Sequence, residues 1–159
     1  MKRAIALPML IALFAAPALA QGLGPDKALM QKVWAAWDTL NPANPAAFYD
    51  KTPSNVYFDI SPLKYRGWSE YEAGVKNVLA EFSSIKSTVQ PDATVHRQGN
   101  LAWSTGTVHV AAVMKDGSKS PLDFRWTAIW EKKGNDWLIV HEHVSAPLPP
   151  PPPAKPGTK

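Results

Sequence analysis

Three turn pairs, Gly99-Asn100, Asp116-Gly117 and Gly134-Asn135, cut the second half of the chain into long segments whose apolar residues recur at every second position. Alternation of that kind is the signature of half-buried strands. The segments run over about 84–97, 101–115, 120–132 and 136–146. Turns this short join antiparallel neighbours only. The expected product is a four-stranded meander of strands long for a small domain, and such a sheet must twist and curl.

The first half carries the other period. Asp26 can cap a helix on which Met30, Val33, Trp34 and Trp37 form one apolar face, and Asn41-Pro42 ends it. Asn44-Pro45 opens a short helix carrying Phe48 and Tyr49. Residues 54–60 read as a short strand, with Val56 and Phe58 opposite Tyr57 and Asp59. Ser69 and Glu72 have capping-box spacing. Tyr71, Val75, Val78, Leu79 and Phe82 follow as a second apolar stripe, with Trp68 just ahead. Helices followed by a meander give an α+β fold. The curved antiparallel sheet would wrap around the N-terminal helices and leave a cone-shaped pocket where they do not cover it.

The ends of the chain fall outside this pattern. Lys2 and Arg3, the apolar run Ala4 to Ala16, and Ala18-Leu19-Ala20 form an export signal over residues 1–20, too short for a span of roughly 20 apolar residues. The mature protein would begin at Gln21 and be periplasmic or secreted. Seven of residues 147–156 are proline, so 148–159 reads as a proline-rich disordered tail after a domain at 21–147. Removing Lys2 and Arg3 from 17 basic residues leaves 15 against 13 acidic ones, and no basic stripe argues for nucleic acid. There is no cysteine, which excludes disulfides, thiolate nucleophiles and cysteine-ligated metals.

Several segments resemble a known family. The order helix, short helix, strand, long helix, meander is similar to the nuclear transport factor 2-like, or cystatin-like, fold. The stretch from Thr127 to Ser145, with Trp130, Trp137, His141 and His143, resembles SnoaL-like domains and the association domain of calcium/calmodulin-dependent protein kinase II. Tyr57 to Pro62, followed by Tyr65, Gly67 and Trp68, fits the SnoaL-like entry into the long helix. Ketosteroid isomerases share this fold and use a carboxylate near the position of Asp59 to move a proton beside a carbonyl. The resemblance therefore implies a base at Asp59, whereas the residue's own setting reads as a helix-entry or turn carboxylate. Tyr57, on the same strand face, would donate to the developing oxyanion, with Tyr49 and Tyr71 as alternatives.

His141 and His143 lie two apart in a strand and so share a face, by strict alternation with Trp137, Ile139 and Ser145. They read as polarising imidazoles, and neither a metal nor any other cofactor is expected. Trp103, Trp126, Arg125 and Tyr71 are the candidate binding residues. Alternation sets Arg125 opposite the bulky stripe Phe124, Trp126, Ala128 and Trp130, on the outer face unless a bulge intervenes. The expected partner is a small apolar molecule bearing a carbonyl or hydroxyl, with no nucleic acid and no membrane span. The second strand is apolar on both faces, which suggests a homodimer through the sheet. The alternative function is a non-catalytic ligand-binding or oligomerisation module.

Overall fold

The computed structural model describes residues 24–148. The expected leader and all of the proline-rich tail beyond Leu148 lie outside the described residues. Helix α1 (Lys27–Trp37) begins where the Asp26 carboxylate accepts from the Leu29 amide at 2.7 Å. Its buried face is Met30, Val33 and Trp37. A 3-10 turn at Pro45–Phe48 follows, then strands β1 (Val56–Phe58) and β2 (Tyr65–Arg66), helix α2 (Gly67–Leu79), and strands β3 (Phe82–Val89), β4 (Thr94–Gln98), β5 (Leu101–Met114), β6 (Leu122–Lys133) and β7 (Asp136–Ser145).

The strands form one sheet in the order β2-β1-β7-β6-β5-β3, and β4 also pairs with β5. The expected segment 84–97 is thus two strands on one neighbour. Pro91 lacks an amide, and the Asp92 carboxylate accepts from the Thr107 amide, so the chain is pinned in a turn between them. β1 adds to the meander as a strand parallel to β7, with Tyr57 opposite Glu142.

The expected Ser69–Glu72 capping box does not form. The helix starts three residues earlier, at Gly67 with Arg66 as its N-cap, and Glu70 reaches back to accept from the Arg66 amide at 2.8 Å. Glu72 instead accepts from the Trp68 indole at 3.0 Å. Two polar side chains on α1 tie it to the sheet edge: Gln31 exchanges hydrogen bonds with the Ser87 carbonyl and the Val89 amide, and Asp38 accepts from the Ser87 amide. The helices therefore stand against the concave face, where Val108, Val110, Ala112, Phe124, Trp126, Ala128 and Trp130 are buried.

Candidate functional site

The helices cover only part of that concave face, and a cavity of about 250 Å³ remains between them and the sheet. Its walls are aromatic and aliphatic: Trp34 and Trp37 from α1, Tyr71 and Val75 from α2, Phe124 and Trp126 from β6. Ile60, Ser61 and Val78 belong to its lining, and the exposure of Ile60 and Val78 marks the mouth. Asp59, half-buried, sits beside them.

Glu142 of β7 lines the same cavity and is 2% exposed. Its carboxylate accepts from the Trp126 indole at 2.8 Å, from the Tyr49 hydroxyl at 2.9 Å and from the Tyr71 hydroxyl. Tyr49 in turn accepts from the Trp37 indole at 3.2 Å. Burial pushes the Glu142 carboxyl up to about 7; the hydrogen bonds from Tyr71, Trp126 and Tyr49 pull it down, and the charge of Asp59 raises it. Asp59 is itself raised, by burial first, against one hydrogen bond from the Ile60 amide. Burial and the neighbouring Glu142 charge hold the Tyr49 and Tyr71 hydroxyls well above the ordinary tyrosine value, so both remain donors. The arrangement can hold an apolar molecule against a carboxyl group that changes charge near neutrality, which is what general acid–base chemistry needs.

Asp59, Tyr71 and Trp126 line the cavity, as does Tyr49, the other alternative donor; Tyr57, His141, His143, Arg125 and Trp103 do not. Tyr57 is fully buried behind it. Its ring stacks on Tyr71 at 5.0 Å and its hydroxyl donates to the Asp50 carbonyl, so it has no free donor for a ligand. His141 and His143 face outward, packed edge-on against Phe58, and a His141 ring nitrogen lies 2.7 Å from the Val56 carbonyl. The reason is a bulge. Ile129 pairs with His141 but the next residue, Trp130, pairs with Ile139, so Val140 is the extra residue in β7. The histidines are thereby turned away from Trp137 and Ile139, and Glu142 is turned inward.

Arg125 is exposed on the outer face, as alternation along β6 requires. Trp103 is also outside, 42% exposed and stacked on His96 at 5.3 Å. Among the described residues, no three His, Cys, Asp or Glu side chains are placed to share a metal, and no helix is long and apolar enough to cross a membrane. Glu142 is the residue that sequence reasoning missed. Its signal was an acidic residue central in a strand otherwise rich in apolar and imidazole side chains.

No curated protein matches the chain. Among solved structures, a protein from Xanthomonas campestris named for the calcium/calmodulin-dependent protein kinase II association domain is 26% identical, with a TM-score of 0.65 over 75% of this chain and 83% of its own. A nuclear transport factor 2-like protein from Salmonella enterica is 21% identical, with a TM-score of 0.67 over 81% and 96%. One from Streptomyces avermitilis, named as a dehydratase of that family, is 14% identical, with a TM-score of 0.64 over 77% and 93%. The last two similarities establish the fold alone. The model of the SnoaL-like domain matches residues 27–149, and the chain belongs to that family.

Proposed function

We propose that this protein binds a small apolar molecule in the cavity and moves a proton on it, with Asp59 and Glu142 as the exchanging groups. The carrying observation is Glu142: a carboxyl group held up to about 7, on the wall of an otherwise apolar cavity. A base or acid works best when its pKa lies near the ambient pH, and dry walls strengthen its action. Asp59 lies nearer the mouth, beside Ile60 and Ser61, where an entering molecule meets it. A SnoaL-like fold is compatible with isomerase, cyclase or dehydratase chemistry without choosing among them.

The test is native mass spectrometry of protein purified from its source, followed by incubation of any retained molecule in deuterated water. Exchange of a carbon-bound hydrogen by the wild type, lost in Asp59→Asn or Glu142→Gln, supports the reading. A retained molecule whose exchange is untouched by either change rules out proton transfer at these groups.

We further infer export through the leader and pairing of two copies through the outer sheet face. The pairing is supported by a cross-strand row of His96, Trp103, Ile129 and His141, in which Trp103 and Ile129 are 42% and 37% exposed.

A further inference from the structure

The hydrogen bonds around Glu142 have a direction. An indole nitrogen can only donate, and Trp126 donates to Glu142. The Tyr49 oxygen already accepts from Trp37, which leaves its proton for the carboxylate. Tyr71 adds another donor. All three donors find an acceptor when Glu142 is an anion. A carboxylate offers about four lone-pair sites, and three donors leave one unfilled. Yet among the described residues that line the cavity, none is lysine, arginine or histidine, and the charge that acts on Glu142, that of Asp59, is of the same sign. A buried anion without a cation is costly, and burial duly pushes Glu142 up to about 7. The titratable groups interacting with it are Asp59, Tyr49, Tyr57 and Tyr71, and none supplies positive charge.

What the molecule lacks, a ligand can bring. We propose that the cavity selects a lipophilic amine in its protonated form, the ammonium filling the last acceptor site of Glu142 and the apolar body occupying the aromatic chamber. Trp34, Trp37, Tyr71 and Trp126 on the walls are aromatic rings, the side chains whose faces attract cations. A charge-assisted hydrogen bond in a dry site is stronger than one to a neutral alcohol. Carboxylate ligands meet two acidic groups and no compensating base. With an amine bound, Glu142 holds the ammonium and Asp59 alone is left to exchange a proton, so this inference rests on the reading above only in placing the ligand in the cavity. Amine binding also stabilises the Glu142 anion, so it expels the proton the empty site holds part of the time near neutrality.

The experiment is calorimetric titration of the mature protein near pH 7 with three probes of equal shape: 2-naphthylmethylamine, 2-naphthylmethanol and 2-naphthoate. The amine is expected to bind at least tenfold more tightly than the alcohol, and naphthoate to bind most weakly. Glu142→Gln brings amine and alcohol within about twofold while alcohol binding persists. Titrations in two buffers of different ionisation enthalpy report the proton: the wild type releases a fraction of one with the amine and none with the alcohol, a readout available even if the variant does not fold. Alcohol bound as tightly as amine, an amine advantage that survives Glu142→Gln, or no proton release overturns the amine reading and leaves the cavity reading standing. Failure of all three probes to bind overturns both.

Discussion

At the scale of single residues, the chemistry depends on Glu142 being held between opposing forces. Burial drives it toward the neutral acid and three donors hold it as the anion. Between its ordinary value of 4.5 and the folded value of about 7, the native state keeps a proton that the unfolded chain has released. Stability therefore falls as pH rises through that window, and Asp59, also raised, adds in the same direction. The Glu142 part amounts to about 3 kcal/mol. Urea denaturation at a series of pH values should show this decline in the wild type and a flatter profile in Glu142→Gln; parallel profiles would remove Glu142 from the account. The tyrosines give a sharper contrast. Tyr71→Phe removes a donor to Glu142 and should move the upper end of the decline to higher pH. Tyr57→Phe removes hydrogen bonds to the Asp50 carbonyl and the Asn55 side chain and none to Glu142, so it should lower stability without moving that window. Tyr71 was legible from its place on the apolar stripe of α2, and Asp59 from the resemblance to isomerases that share the fold; both line the cavity. Glu142 was not legible. A bulge shifts alternation by one residue, and nothing in the residues around Val140 announces it.

Among the elements, α2 carries a conflict between helix propensity and packing. Gly74 lies in its middle, where alanine would ordinarily favour the helix by about 1 kcal/mol. But a Cβ there would collide with the Tyr65 ring. That ring packs on Tyr71 and its hydroxyl donates to the Ser61 carbonyl at 3.2 Å, so it pins the loop beside the mouth of the cavity. Gly74→Ala should therefore destabilise the fold, by about 1–3 kcal/mol in net terms. It should also speed amide exchange in the loop of residues 59–65. A stabilised variant would show that Tyr65 swings aside at no cost. The helix faces, apart from the exposed Val78 and Phe82, which opens β3, and the three long strands β5, β6 and β7 were readable because period and turn chemistry agree there. Alternation continues across Pro91 and makes β3 and β4 look like one strand, although the missing amide of Pro91 marks the break that the pairing shows. The parallel strand β1 could not be paired from its own short pattern, since its neighbour β7 lies more than eighty residues away in the chain.

For the whole molecule, the concave face holds the cavity and the convex face holds the histidines, Trp103 and Arg125. Two roles are thus separated by one sheet. If the convex face pairs two copies, sedimentation at micromolar concentration should give a dimer, and Trp103→Glu together with Ile129→Lys should give a monomer that keeps ligand binding. A wild-type monomer would leave that face without its proposed occupant. The fold class and the family were recoverable from order and spacing of elements, whereas the polarity of the site depended on one register shift between β6 and β7. The measurement that bears most directly on the central claim compares the wild type with Ala112→Phe, whose added ring projects into the cavity from β5. Calorimetric titration with 2-naphthylmethanol should give one bound molecule per chain in the wild type and none in a variant that still melts cooperatively. Equal binding by both proteins, or none by the wild type, would contradict the assignment of this cavity as the ligand site.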